Sequence, residues 1–113
     1  MSGPGSHPRH RLDDLIHSPV RFSIMATLAA SDQAEFGFVR DVVEVTASVL
    51  SKQVSLLEEA GYVAVRKGYV GKRPRTWLAL TPPGRAAFQG HVAVLQEIVS
   101  AAPLAAATHG EEA

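Results

Sequence analysis

Six basic residues, Lys52, Arg66, Lys67, Lys72, Arg73 and Arg75, lie between positions 48 and 75 against only two acids, Glu58 and Glu59. That stretch carries a net charge of +4 and the remainder −4, so the zero total conceals a polarised chain. A phosphate backbone responds to the local field of the face presented to it, not to the sum over the molecule. Just ahead of the cations stand Ser48, Ser51 and Ser55, whose small side chains allow close approach and whose hydroxyls donate or accept. Lys52 and Gln53 have the reach for phosphates or base edges, and a glutamine can pair bidentately with adenine. The chemistry on offer is recognition of a polyanion, without bond making.

Other chemistry fits less well. On a helix from Arg9 to His17, His10, Asp14 (or Asp13) and His17 would share one face, a ligand set metals accept. His91, on a helix near the C-terminus, is a further candidate across a subunit seam. Yet His10 stands at a helix end and no supporting shell is legible, so these histidines read as solvated or core residues. Neither a metal nor a cofactor is expected. Asp13-Asp14 and Glu58-Glu59 are adjacent pairs that point in two directions and cannot clamp one bond. A phosphate-cradling glycine loop, HExxH and GxSxG are all missing, so the chain does not read as an enzyme. It contains no cysteine, hence no disulfide or thiolate site, which is compatible with a cytoplasmic location. No apolar run approaches the ~20 residues of a membrane span, and no signal-peptide core is legible.

The elements that must position the serines and cations follow from periodicity and caps. At 113 residues the chain suits one domain with one modest core. Residues 1–8 are turn formers and 103–113 a frayed tail, both expected to be mobile. A first helix is expected over Arg9–His17. Ser18-Pro19 then gives an N-cap and a proline at the first helical position, opening a helix to about Ala30 that buries Phe22, Met25, Ala26 and Leu28 or Ala29. Glu35–Gly37 suggests a brief strand and Phe38–Glu44 a short helix burying Val39, Val42 and Val43. Thr46 caps a helix Ala47–Ala60, which Gly61 ends. Leu50, Val54, Leu57 and Ala60 recur at helical spacing and face inward, leaving Ser48, Ser51, Lys52, Ser55 and Glu59 outside. Tyr62–Lys67 alternates as a strand, Gly68–Pro74 reads as an exposed loop, and Thr76–Leu80 returns as the second strand. Only one of Arg66 and Lys67 can face a ligand, and Trp77 reads as a core plug. Thr81-Pro82 repeats the cap-plus-proline signal for a last helix to about Ala102, with Phe88, Val92, Leu95, Ile98 or Val99, and Ala102 inward. The fold class is mainly α with a small β-hairpin (α+β).

Several runs resemble a known family. Leu50-Ser51-Lys52-Gln53-Val54 and Leu57-Glu58-Glu59-Ala60-Gly61-Tyr62-Val63 are similar to the recognition-helix signature of MarR- and ArsR-type winged-helix transcriptional regulators. The run from Gly71 through Lys72, Arg73, Pro74 and Arg75 to Leu80, Thr81, Pro82, Pro83, Gly84 and Arg85 resembles their wing and the LTxxGR entry to the last helix. Ser18 to Met25 resembles the opening of their second helix. The likeness covers about residues 12–100 and is nearest to the short single-domain MarR-like group. It implies a winged helix-turn-helix that binds double-stranded DNA, most simply as a repressor. Ser48, Ser51, Lys52, Gln53 and Ser55 would face the major groove, with Arg66, Lys67, Lys72, Arg73 and Arg75 along the wing. It also implies a homodimer through the first and last helices, and the apolar stripe of the last helix points the same way. Competing readings are a winged helix used as a protein-interaction module, and a sensor of the same fold responding to a metal or to a small apolar or phenolic effector.

Overall fold

A computed structural model describes residues 6–102. The tail expected at 103–113, and most of the N-terminal segment expected at 1–8, lie outside the described residues. The core is laid down by three helices and a small sheet. Helix α1 (Pro19–Ala29) starts where the Ser18 hydroxyl accepts the Arg21 N–H at 3.3 Å, with proline at the first position. It buries Ile24, Met25 and Leu28 completely. Met25 and Leu28 match the expected face, Phe22 packs against the core margin as expected, Ala26 is half-buried, and Ile24 is an unexpected core residue.

Strand β1 (Ala34–Glu35) is displaced by about one residue from expectation, and helix α2 (Phe36–Val43) follows at once. Of its expected core residues Val39 is buried, whereas Val42 is exposed. Helix α3 (Ala47–Glu59) is capped by Thr46, whose hydroxyl accepts the Val49 N–H at 3.1 Å. It ends as the glycine at 61 requires: φ is +81°, with Gly61 N–H donating to the Glu58 carbonyl and Tyr62 N–H to that of Leu57, each at 2.9 Å. This pair of bonds satisfies carbonyls that a helix end leaves orphaned. Leu50, Val54 and Leu57 point into the core; Ala60, expected there, is exposed.

Strands β2 (Val63–Val70) and β3 (Arg73–Leu80) form a longer hairpin than expected. The loop expected over Gly68–Pro74 is instead two ladders of paired residues joined by Gly71-Lys72 alone. Gly71 has φ +62° and Lys72 is not in the left-handed region, the pattern of a type II′ hairpin turn. Pro74 fits within a strand because β1 pairs β3 only at Leu78 and Trp77, leaving the outer part of that edge open. The sheet order is β1-β3-β2.

Helix α4 (Pro82–Ser100) closes the domain. Thr81 caps it through the Gly84 N–H at 2.9 Å. Gly84 is buried, and a methyl group there would stand 2.0 Å from the Tyr62 carbonyl oxygen, so only glycine permits this approach. Arg85 reaches back to the end of α1, donating to the carbonyls of Ala29 at 3.1 Å and Ser31 at 3.4 Å. The inward line of α4 runs through His91 and Val94, not chiefly through Val92 and Leu95 as expected. Phe88 does join the core margin.

The first expected helix does not form. A 3₁₀ turn covers Pro8–Arg11 and the backbone extends at Leu12. Local polar groups divert it: His7 Nδ1 accepts the Arg9 N–H at 3.1 Å, and the Asp13 carboxylate accepts the Leu15 N–H at 3.0 Å. The Asp13 N–H itself donates to His91 Nδ1 at 3.2 Å, away from any helical partner. The facial alignment of His10, Asp14 and His17 is therefore lost. Among the described residues no cluster of three histidine or carboxylate side chains could hold a metal ion. No described helix is long and apolar enough to cross a membrane.

Candidate nucleic-acid interface

Helices α2 and α3 meet through a tight turn in which Glu44 adopts a left-handed conformation, φ 61° and ψ 52°. This turn sets α3 across the body of the domain. With Leu50, Val54 and Leu57 locked inward, Ser48, Ser51, Lys52 and Ser55 are exposed along the opposite side. The first turn of α3 carries no acid, so its positive dipole end is uncompensated. Gln53 behaves differently from its neighbours: it is half-buried, and its Oε1 accepts a hydrogen bond from Arg21 Nη1 at 2.8 Å. The same guanidinium donates through Nε to the Leu15 carbonyl at 2.5 Å. Arg21 thus ties α3 to α1 and to the segment before α1, a role the sequence reading missed.

Strand alternation sorts the wing residues onto two faces. The pairs Val65–Leu78 and Lys67–Thr76 share the face turned to α3, and Arg66–Trp77, Gly68–Arg75 and Val70–Arg73 share the other. Between α3 and the hairpin lies an open cleft of about 370 Å³. Ser51 and Ser55 line one wall, Lys67 and Thr76 the other, over an apolar floor of Val54, Val65 and Leu78, with Glu58 at its margin. Lys67, not Arg66, is therefore the strand cation beside α3.

The remaining cations are in two states. Arg66 lies over the Trp77 ring, 4.4 Å from its centre, and donates to Gln33 Oε1 at 3.2 Å. Arg75 pairs with Glu35 at 3.1 Å. Trp77 is half-buried under Arg66, part plug and part platform for that arginine. No ion pair among the described residues engages Lys52, Lys67, Lys72 or Arg73. The sequence offers Glu35 only as the start of a brief strand; its pairing with Arg75, 40 residues on, depends on β1 meeting β3.

The support behind this face is polar and specific. Asp13 accepts the Tyr62 hydroxyl at 2.6 Å, which raises the tyrosine pKa, and its N–H meets His91. His91 is 3% exposed; burial, then the nearby His17 ring 5.4 Å away, hold its pKa below the ordinary value. Arg11 and Glu97 form a bidentate pair at 2.6 and 3.0 Å that fastens the N-terminal turn to α4.

A helix-turn-helix with an exposed polar second helix, followed by a basic hairpin and a closing helix, defines a winged-helix DNA-binding domain. The sequence profile of the winged helix DNA-binding domain family matches residues 20–99, and the chain belongs to that family. It is 30% identical over 78 residues to an uncharacterized protein of Methanocaldococcus jannaschii, spanning 69% of this chain and 85% of the relative. Among solved structures it is similar to a transcriptional regulator homologue from Pyrococcus horikoshii, with TM-score 0.73, 26% identity and coverage of 78% of this chain and 87% of the other. A MarR-family regulator from Silicibacter pomeroyi shares the fold at TM-score 0.57 and 24% identity, over 85% and 62% of the two chains. The chain is a DNA-binding transcriptional regulator of the winged-helix family, a family of regulators and not of enzymes.

Proposed function

We propose that the chain is a homodimeric, sequence-specific repressor that lays α3 in the major groove and the hairpin against the neighbouring minor groove. The observation that carries this reading is the unpaired Ser48, Ser51, Lys52 and Ser55 face of α3 beside a cleft whose far wall holds Lys67. A phosphate strand seated in that cleft would meet the hydroxyls of Ser51, Ser55 and Thr76 and the Lys67 cation, while Ser48 and Lys52 nearer the start of α3 read base edges. Lys72 and Arg73 add charge at the tip. Gln53, held by Arg21, supports the helix from behind, and Arg66 and Arg75 act mainly within the wing.

Dimerisation uses the N-terminal turn and α4, which the Arg11–Glu97 pair holds together, and the outer side of α4 leaves Val99 76% exposed. A two-fold axis there would set two α3 helices about 34 Å apart on a pseudo-palindromic site. The test is a fluorescence-anisotropy titration against the DNA upstream of the protein's own gene and a scrambled duplex, at two salt concentrations, with the mass in solution measured by light scattering. A tighter complex with the upstream DNA, a steep salt dependence for both duplexes and a dimer mass are expected. No binding at low salt would transfer the basic wing to an acidic protein partner.

A second reading is supported by one orphaned atom. His91 Nε2 is buried without a hydrogen-bond partner, beside an open cavity of about 250 Å³ lined by His17, Ser18, Pro19, Phe22 and Leu95. A small apolar effector bearing one acceptor oxygen would satisfy it. Thermal-shift screening of small aromatic carboxylates and phenols, followed by DNA release by any that bind, tests this reading.

A further inference from the structure

The wing ends in apolar side chains that the fold does not use. Every residue from Tyr69 to Pro74 is exposed, with Tyr69 at 73% and Val70 at 55%. The third strand reaches only to Leu78 and Trp77, so this end of the hairpin is supported by its own ladder alone. Tyr69 pairs with Pro74 on the face turned to α3, and Val70 lies on the other beside Arg73. The two-residue turn narrows the tip to Gly71 and Lys72.

Strand propensity does not account for this composition, since threonine serves a pleated ladder without leaving a large apolar surface in water. A protein partner is a weaker match than DNA, because the apolar side chains are interleaved with Lys72 and Arg73, neither of which has an ion-pair partner among the described residues. Cations with apolar wedges between them suit the minor groove, where charge is drawn by the deep negative potential and a wedge is rewarded by parting stacked bases.

We propose that Tyr69, Val70 and Pro74 form an apolar wedge at the wing tip that enters the minor groove, unstacks one base step and bends the duplex there. This inference rests on the reading of the chain as a DNA binder and adds to it a deformation of the DNA. Specificity then extends to flanking base pairs that no side chain reads, because flexible steps such as TA yield at lower cost than stiff ones.

The test uses the full chain and a duplex that it selects from a random-sequence pool. 2-Aminopurine is placed singly along the flanks to report unstacking, and a donor–acceptor dye pair on the duplex ends reports bending. The variant Tyr69→Thr/Val70→Thr keeps strand propensity and every charge; a melting curve matching the parent confirms its fold. The parent should brighten 2-aminopurine at one step on each flank, one per wing, and bring the ends closer. The variant should lose both signals and bind on the order of tenfold more weakly, the scale of one buried apolar side chain. Its salt slope should not change, whereas Lys72→Gln/Arg73→Gln, which removes two cations from each subunit of the dimer, should lower that slope by about four. Tight, salt-dependent binding by the parent with no unstacking, and equal affinity of the threonine variant, would overturn the wedge and leave the DNA reading standing. Failure of the parent to select any duplex would overturn both, and capture of a protein by the parent but not the threonine variant would assign the tip to that partner instead.

Discussion

Acidification should weaken this fold through His91, and a substitution can isolate the effect. The His91 ring is almost completely buried, and its Nδ1 accepts the Asp13 N–H, which obliges the ring to be neutral with its proton on Nε2. A proton added at Nδ1 would face another N–H, and the Asp13 carboxylate is already committed to Tyr62 and Leu15. Folding therefore holds the pKa of His91 below the imidazole value. The unfolded chain binds the extra proton first, so the stabilising contribution is complete above about pH 6.5 and is lost as pH falls through the window below it. One proton taken up on unfolding sets a limiting slope of about 1.4 kcal/mol per pH unit.

The variant His91→Asn keeps an acceptor near the Nδ1 position but cannot titrate. It forfeits ring contacts with Phe22 and His17, whose centres lie 5.8 and 5.4 Å away, and should be less stable by about 1–2 kcal/mol at pH 7.5. Urea unfolding of both proteins from pH 7.5 to 5 measures the difference, in which the shared carboxylates largely cancel. The deficit of the variant should shrink progressively as pH falls below about 6.5. A deficit that stays constant across that range would show that His91 takes up no proton on unfolding, and the reasoning would fail.

Three further outcomes follow from the geometry. Gly84→Ala should cost on the order of 3 kcal/mol in urea unfolding, since its methyl group meets backbone that cannot swing aside. Glu44→Gly should raise stability by about 0.5–1 kcal/mol, because it relieves a left-handed residue at the α2–α3 turn; an unchanged or lower melting temperature would contradict this. Lys67→Gln should reduce the salt slope of DNA binding by about two, one contact per subunit of the proposed dimer, whereas Arg66→Gln, removed from the cleft and stacked on Trp77, should change it far less.

The helix boundaries were legible wherever one local device decides them. Ser18, Thr46 and Thr81 each announce a helix by a hydroxyl that accepts the N–H three residues on, and Gly61 ends α3 by its left-handed backbone. The LTxxGR run could be recognised without its reason, which is spatial: Gly84 touches Tyr62 and Arg85 caps the end of α1. The N-terminal segment failed because its outcome depends on the Asp13–His91 bond across 78 residues of chain. Only the Gly68–Pro74 part of the hairpin reads as a loop, because glycine and proline are turn formers in general, and only pairing reveals that Gly68 lies opposite Arg75 and Pro74 opposite Tyr69. The exposed serines of α3 were legible from periodicity. The withdrawal of Gln53 was not, since its partner Arg21 sits on another helix.

The guanidinium of Arg21 works as a crossbar. One end grips the Leu15 carbonyl in the segment that Asp13 moors to α4, and the other grips Gln53 in the middle of α3. A displacement of residues 13–17 would pull on that crossbar and, through it, on the helix it holds. Residues 13–17 and the middle of α3 are thereby joined through a single side chain, along a route that bypasses the hydrophobic core.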